Sequence, residues 1–185
     1  PFLEYPILCE TGIVRHGFST RLGGVSEGYY ASMNLSFDRG DDPEAVRENF
    51  RRIGKAIGVD VEDMVMSKQT HTTNVRVVTE DDRGKGIVRE RDYTDVDGFV
   101  TNVRGLCLVT SYADCVPLYF ADPVKNVIGL SHSGWRGTVG KIGKKTVELM
   151  TERFRSDAAD ILGCVGPSVC VDCYEVSEDV IDKIR

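Results

Sequence analysis

Three side chains of metal-binding types lie where predicted strands meet loops. His71 lies in the polar tract KQTHTT, Cys115 in ADCVP, and His132 in SHSGWRG, where a strand ends and a helix is expected to begin. A cysteine and two histidines can hold zinc through three ligands and leave the fourth position open, which is typical of catalytic zinc sites. Their spacing along the chain is not a metal signature. Three unrelated side chains, a buried thiol and two loop histidines, therefore remain an alternative.

The loop that contains His132 has features of an anion-binding site. Its glycines allow a tight turn, and the helix predicted to follow would point free N–H groups at a bound group. Arg136 adds a guanidinium suited to phosphate or carboxylate, and Trp135, the only tryptophan, offers a flat face. Equally, Trp135 could fill core space while Arg136 pairs with Asp114. The sequence leaves both interpretations open.

Motifs of several enzyme classes are absent. The sequence has no HExxH pattern, and two threonines follow His71 where the common nucleobase deaminases have His-x-Glu. The segment Gly129–Ser133 is close to a serine-hydrolase elbow but has Ser where the last Gly is required. The glycines of Gly137–Gly143 match neither the dinucleotide fingerprint nor the Walker A motif. They are more typical of close helix packing.

The remaining histidine and several cysteines indicate structure rather than chemistry. His16 lies in a predicted strand without a matching neighbour, so we expect a packed side chain or one at the strand edge. Cys107 and Cys164 lie in apolar runs, where a thiol behaves as a small core residue. Cys170 and Cys173 have CxxC spacing, but no second pair and no paired-histidine motif accompanies them. We therefore do not expect a metal or redox site there.

Hydrophobic periodicity predicts a mixture of helices and strands. The clearest helix is Pro43–Ile57, with Asp41 or Asp42 as its cap and Gly58 at its end. A second helix is predicted over Thr138–Arg155, and a hairpin turn is predicted over Pro123–Asn126. The predicted strands are Ile13–Ser19, Val75–Thr79, Gly98–Thr101, Leu106–Ser111, Pro117–Asp122, Val127–Ser131 and a buried strand at Ile161–Val165. This order is typical of an α/β or α+β fold with layered mixed sheets flanked by helices.

Composition excludes some classes of protein. The chain has 185 residues, of which 41% are hydrophobic and 28% charged, and a net charge of −6. These values indicate a soluble globular protein and argue against nucleic-acid binding. No apolar stretch approaches the roughly 18 residues of a membrane span, and no signal peptide is visible, so we expect a cytoplasmic protein without membrane partners. We expect one domain over residues 1–185 that lacks a C-terminal portion, because a helix predicted after Ser177 has only begun its apolar stripe (Val180, Ile184) at the last residue.

Motifs along nearly the whole chain resemble those of the YfiH-like family. Its members are called laccase-domain proteins, purine nucleoside phosphorylases or peptidoglycan editing factors. In the order that the family has them, the motifs are RLGGVS (21–26), NLS (34–36), QTH (69–71), TDVDG (94–98), ADCVP (113–117), HSGWRG (132–137) and GPS (166–168). Ser133 departs from the family pattern, which usually has Ala there, and a small polar residue is not expected to disturb the fold.

The resemblance implies a YfiH-like fold and a zinc ion held by His71, Cys115 and His132, which are also the implied catalytic residues. It further implies phosphorolysis of adenosine, inosine, guanosine and S-methyl-5'-thioadenosine, and deamination of adenosine. Purine nucleosides and phosphate are the partners that this chemistry implies. Water activated by zinc can attack the purine ring, and carboxylates such as Asp114 can orient the histidines. The implied substrate-binding residues are Arg21, Asn34, Gln69, Asp114 and Arg136.

Three rival functions differ in how they would use the same residues. The family's older name is multicopper polyphenol oxidase, but three histidines cannot supply the imidazole ligands of several copper ions. A Cys–His hydrolase would use Cys115 as nucleophile and a histidine as base, which would leave the thiol reactive rather than metal-bound. A third alternative is a cell-wall (peptidoglycan editing) factor whose pocket senses a nucleoside without converting it.

Overall fold

The computed structural model describes residues 1–184, which form three sheets and five α-helices. The strands are β1 (Phe2–Leu3), β2 (Phe18–Ser19), β3 (Met64–Met66), β4 (Val75–Val77), β5 (Gly98–Thr101), β6 (Cys107–Val109), β7 (Val116–Asp122), β8 (Val127–Ser133) and β9 (Leu162–Val165). The helices are α1 (Pro6–Cys9), α2 (Pro43–Ile57), α3 (Trp135–Val139), α4 (Ile142–Phe154) and α5 (Glu178–Ile184). The α/β class predicted from the sequence is confirmed. No helix in this part of the chain is long and apolar enough to cross a membrane.

The main sheet has five strands in the order β4-β5-β8-β7-β9, and β1-β2 and β3-β6 form two smaller sheets. In the main sheet β4 and β5 run parallel, whereas the other neighbours are antiparallel. The predicted hairpin between β7 and β8 is confirmed. Its turn is closed by Asp122, whose Oδ1 accepts hydrogen bonds from the amides of Val124 and Lys125 at 2.9 Å each.

One face of the main sheet is covered by α4. Met150 of this helix packs against Val100 and Val127 of the sheet, and all three side chains are fully buried. The helix approaches closely at Gly129, where a Cβ atom would lie 3.1 Å from Thr146 Cγ2. The position therefore favours glycine, because a larger side chain would push α4 away from β8.

The other long helix, α2, packs on the small parallel sheet and has the bounds that the sequence predicts. Asp42 caps it by accepting a hydrogen bond from the Glu44 amide at 3.0 Å, and Gly58 ends it with a left-handed φ of 73°. Such a φ is open to glycine at little cost. Phe50 on its inner face packs with Met64 of β3 in a buried apolar cluster. Burial of this apolar stripe, rather than intrinsic helix propensity, supplies most of the stability of such a helix.

The first predicted strand is mostly wrong. Of Ile13–Ser19, only Phe18 and Ser19 form a strand. In the preceding part the backbone is irregular, and the ring of His16 accepts a hydrogen bond from the amide of Tyr5 at 2.7 Å. His16 thus contacts a neighbouring segment through its side chain, and not through the backbone hydrogen bonds of paired strands. The expectation that His16 is packed is confirmed, because the residue is buried.

The second predicted helix, Thr138–Arg155, is two helices. The first, α3, begins earlier, at Trp135, and stops before Gly140; α4 begins after Lys141. Lys141 has a left-handed φ of 61°, which interrupts the helical backbone. The chain changes direction there, so that α4 can lie along the sheet while α3 stays at the end of β8.

Two further strands differ from prediction. The strand predicted as buried at Ile161–Val165 forms as β9, but it lies at the sheet edge and Val165 is 70% exposed. Its side chains alternate between half-buried and exposed, as expected for a strand with one covered face. The sequence did not predict β3, whose three residues are all buried and pair in parallel with β6.

Candidate metal centre

The three predicted metal ligands converge at one end of the main sheet. His132 is the last residue but one of β8, which ends there, and β7 begins on one side of it directly after Cys115. On the other side β5 begins opposite Ser131, and β4, the strand next to β5, begins shortly after His71. Residues far apart in sequence therefore become neighbours because four strand ends meet at one edge.

The side chains of His71, Cys115 and His132 form a compact donor set. One ligand atom from each lies within 4.8 Å of the other two, and no other group of three or more His, Cys, Asp or Glu side chains within residues 1–184 meets this condition. The two imidazole rings lie 5.0 Å apart between centroids, at an interplanar angle of 79°. His132 is buried, Cys115 is half-buried and His71 is exposed, so the centre opens to solvent on the His71 side.

Gly134 lies against all three donors. A Cβ atom at this position would lie 2.9 Å from His71 Cδ2, 3.1 Å from Cys115 Sγ and 3.9 Å from His132 Cε1. Its backbone conformation, with φ −73° and ψ 176°, is open to any residue. Glycine is therefore required here by the space that the donors occupy and not by the backbone.

Asp97 lies behind the two histidines and is fully buried. Its Oδ1 accepts a hydrogen bond from His132 Nδ1 at 2.8 Å and another from the backbone amide of His71 at 3.0 Å. Its Oδ2 accepts hydrogen bonds from the amides of Thr70 at 2.9 Å and Thr72 at 3.1 Å, and from the Thr72 hydroxyl at 3.2 Å. The carboxylate thereby joins the end of β8 to the loop that contains His71.

The ionisation of the centre follows from burial and hydrogen bonding. Burial alone would raise the pKa of Asp97, but the hydrogen bonds from His132 and from the Thr70 and Thr72 amides hold it below its usual range. Burial, and then the charges of Asp114 and Asp97, raise the pKa of the Cys115 thiol. A bound cation would oppose this shift, since thiols that ligate a metal ion are deprotonated.

Gln69 braces two segments that border the centre. Its Oε1 accepts hydrogen bonds from the Ser111 amide at 2.7 Å and the Ser67 hydroxyl at 2.8 Å, and its Nε2 donates to the Ser111 carbonyl at 2.7 Å. The segment after β3 is therefore tied to the segment after β6. Next to it, Tyr112 packs its ring 5.5 Å from that of His132.

Arg136 and Asp114, two other predicted site residues, are both exposed. Within the described part of the chain they form no ion pair with each other, and the guanidinium of Arg136 lies 4.3 Å above the ring of Trp135. The hydrogen bond to a metal-site histidine that we expected from Asp114 is made by Asp97 instead. The helix that follows the loop, α3, has only five residues, so it contributes little dipole toward an anion.

Arg21 and Asn34 lie in the long loop between β2 and α2. The loop is organised by the fully buried Asn49 of α2, whose Nδ2 donates to the carbonyl of Asn34 at 2.8 Å and whose Oδ1 accepts from the Val25 amide at 2.8 Å. The Nε of Arg21 donates to the carbonyl of Ala31 at 2.7 Å. Neither predicted residue is hydrogen-bonded to His71, Cys115 or His132 among residues 1–184.

The other cysteines take no part in this donor set. Cys107 packs beside the buried cluster of α2 and β3, and burial raises the pKa of its thiol to about 12. Cys164 is half-buried in β9, and Cys170 and Cys173 are exposed. Such a high pKa makes Cys107 a neutral, unreactive core residue at physiological pH.

The donor set fits a transition-metal ion. A thiolate and two imidazoles suit zinc and copper, whereas calcium and magnesium prefer oxygen ligands. The Asp97 carboxylate supports the same interpretation, because metal-ligating histidines commonly donate their second N–H to a carboxylate. With three protein donors, a tetrahedral ion would keep one position for water or substrate.

Comparisons with known proteins identify the family of the chain. Residues 15–185 match the family model described as multi-copper polyphenol oxidoreductase laccase. The chain is 39% identical over 173 residues to the purine nucleoside phosphorylase YlmD of Bacillus subtilis, covering 91% of this chain and 61% of the relative. It is 37% identical over 170 residues to the adenosine deaminase RL5 of an unidentified prokaryote, covering 91% of this chain and 64% of that protein.

A solved structure extends the match to three dimensions. The hypothetical protein YfiH of Bacillus licheniformis superposes with a TM-score of 0.88 at 37% identity, over 91% of this chain and 63% of that protein. The chain spans less than two thirds of the length of each of these three proteins. On the family model and these likenesses, the chain belongs to the laccase-domain family of YfiH- and YlmD-like proteins.

Proposed function

We propose that the chain carries the zinc centre of a purine nucleoside enzyme that deaminates adenosine and phosphorolyses adenosine, inosine, guanosine and S-methyl-5'-thioadenosine. The observation that carries the proposal is the convergence of His71, Cys115 and His132 on one donor set, backed by Asp97. The names of the relatives supply the reaction class: purine nucleoside phosphorylase and adenosine deaminase. The predicted cytoplasmic location stays a prediction.

In this proposal His71, Cys115 and His132 hold the ion, and the open side next to His71 admits the nucleoside. A bound zinc ion supplies a Lewis acid that activates water near neutral pH. Asp97 accepts a hydrogen bond from Nδ1 of His132 and so keeps Nε2 of that ring free of hydrogen and available as a ligand. Gly134 leaves the space in which the three side chains meet.

Phosphorolysis needs a second element, because phosphate must be held near the sugar carbon as the purine leaves. We assign Arg136 to this role. Its guanidinium is exposed, is free of ion pairs within residues 1–184, and follows Gly134 and Trp135 directly at the end of β8. Its planar fork can donate two parallel hydrogen bonds to an oxyanion. Deamination consumes water instead of phosphate and does not need this residue.

Two alternatives are less well supported by the geometry. A multicopper site needs many imidazoles, and the third histidine of this chain, His16, is buried with its Nε2 occupied by the Tyr5 amide. A Cys–His hydrolase needs a thiolate-favouring environment, yet burial and nearby carboxylates raise the pKa of Cys115. A bound metal ion would stabilise the Cys115 thiolate despite this raised pKa.

The test combines metal analysis with product analysis on the purified chain. We expect about one zinc per chain, inosine and ammonia from adenosine without phosphate, and adenine and ribose 1-phosphate when phosphate is added. The variant Cys115→Ala should lose the zinc and both activities. The matched control Cys107→Ala, which removes a thiol outside the centre, should keep them. Zinc-free chains with full activity, or zinc-loaded chains with neither activity, would contradict the proposal.

A further inference from the structure

Asp97 joins the two halves of the metal centre through a single oxygen atom. Its Oδ1 accepts hydrogen bonds from the ring of His132 and from the backbone of His71, at 2.8 and 3.0 Å. The carbonyl of Asp97 also accepts a hydrogen bond from the His132 amide at 2.7 Å. His132 is thus held by its ring and its backbone, and His71 by its backbone.

We propose that Asp97 is the positioning residue of the metal centre, through which both histidines are oriented for the ion. The inference rests on the metal site of the proposed function and extends it to a residue outside the donor set. A positioning role differs from a merely structural one because it predicts a loss of metal affinity in protein that is still folded.

The first part of the role concerns the His132 ring. The Asp97 carboxylate accepts hydrogen bonds from three backbone amides, and an ionised carboxylate can only accept, so the hydrogen between Asp97 and His132 belongs to Nδ1. The neutral ring then carries no hydrogen on Nε2, which is the atom that remains to bind a metal ion. Without Asp97, the ring could adopt the other tautomer and rotate.

The second part concerns the backbone at His71. This residue has a left-handed φ of 66°, which is uncommon for residues other than glycine, although asparagine, aspartate and histidine adopt it more often than the others. Three successive amides, those of Thr70, His71 and Thr72, donate to the Asp97 carboxylate and hold the loop in this form. The conformation aims the His71 side chain toward Cys115 and His132, although the residue is exposed and its ring makes no hydrogen bond within residues 1–184.

The charge of Asp97 fits the same role. A divalent ion bound by the Cys115 thiolate keeps one net positive charge, and the buried carboxylate of Asp97 would neutralise it. Hydrogen bonding to a carboxylate also raises the basicity of a ligating imidazole. Removing such a partner typically weakens metal binding by about 10–100-fold.

The decisive experiment measures the zinc dissociation constant by competition with a chelating dye. Asp97→Asn retains the shape but replaces one of the two acceptor oxygens with an NH2 group, which then faces hydrogen-bond donors of the site. We expect zinc binding to weaken by about 10–100-fold. Asp122→Asn is the matched control: Asp122 is also fully buried and accepts two backbone amides, but at the far end of β7 from Cys115. Its affinity for zinc should stay within about twofold of wild type.

Each outcome of this comparison has a separate meaning. If folded Asp97→Asn protein binds zinc as tightly as wild type, the positioning role is refuted and the metal site stands. If wild type itself does not bind zinc, the proposed function fails. If Asp97→Asn does not fold, nitrogen-15 NMR of the wild-type histidine rings decides: hydrogen on Nδ1 of His132 is expected, and hydrogen on Nε2 alone overturns the inference.

Discussion

A single added methyl group should separate folding from metal binding in this protein. In Gly134→Ala the new Cβ would lie 2.9 Å from His71 Cδ2 and 3.1 Å from Cys115 Sγ. Carbon atoms pack at about 3.5–4.0 Å, so the His71 ring must recede by about 0.6 Å or more. Metal–ligand distances vary by only about 0.2 Å. We therefore expect zinc affinity to fall by about tenfold or more, or about 1.4 kcal/mol of binding free energy.

The same change should leave the metal-free protein almost as stable as before. The φ of −73° at Gly134 suits alanine, and fewer unfolded conformations would favour folding by about 0.4–1 kcal/mol. Alanine is a poorer residue than glycine at the start of α3, which offsets this gain. His71 is exposed and can move without opening the core. We expect the free energy of unfolding to change by less than about 1 kcal/mol.

The assay pairs zinc competition titrations with urea unfolding of the metal-free protein. Gly163→Ala is the control, because a Cβ there would meet only Phe120 Cδ1, at 4.0 Å, in the edge strand β9. A zinc affinity for Gly134→Ala within twofold of wild type would refute the reasoning, since it would mean that the donors do not meet around Gly134. A collapse of stability in the metal-free variant would equally contradict it.

Three further predictions concern residues around the centre. Cys107→Ala should lower the free energy of unfolding by about 1–2 kcal/mol through lost packing, with zinc affinity unchanged; a drop in bound zinc would show that the thiol does more than pack. Arg136→Lys should raise the apparent KM for phosphate and leave deamination nearly unaffected, since lysine keeps the charge but loses the fork; equal losses in both reactions would end the phosphate assignment. Burial, opposed by Glu4, lowers the pKa of His16 below 6.5, so its contribution to stability is present above that pH and is lost as pH falls through the lower, folded-state value. In urea titrations from pH 7.5 to 5, the free energy of unfolding of His16→Gln should therefore depend less on pH than that of wild type. Parallel curves for the two proteins would contradict this prediction.

Sequence predicts best where the signal is local. The ends of α2 are set by Asp42 and Gly58, which act on the backbone within a few residues of themselves. The hairpin of β7 and β8 is similarly local, because its turn is closed by Asp122. In both cases the residues that determine the helix end or the turn lie within a few positions of it.

Prediction fails where a distant partner decides. The buried strand β3 has no alternating pattern, and it forms by pairing with β6, more than forty positions later. The break between α3 and α4 depends on the left-handed conformation of Lys141, and a lysine at that position does not indicate such a conformation. The segment before Phe18 has a strand-like composition, but the ring of its His16 accepts a hydrogen bond from the distant Tyr5 amide, and only Phe18 and Ser19 pair as a strand.

The candidate site shows the same division. His71, Cys115 and His132 can be selected from the sequence by residue type and by the family motifs, and the structure brings them together. Asp97 lies within one of those motifs, but no feature of the sequence favours it over Asp114. Only the meeting of β5, β8 and the His71 loop shows which of the two carboxylates is buried and paired.

The centre is therefore specified from two opposite sides. Behind the rings, the Asp97 carboxylate restricts rotation and tautomer by hydrogen bonds that only a buried acceptor can supply. In front of them, Gly134 has no side chain, and this leaves the space in which the three donors approach one another. Neither residue is one of the three donors. Substitution of Asp97 would remove hydrogen bonds that orient the histidines, whereas substitution of Gly134 would fill the space that the donors occupy. A metal ion bound by these three donors would thus depend on Asp97 and Gly134 as well as on its ligands.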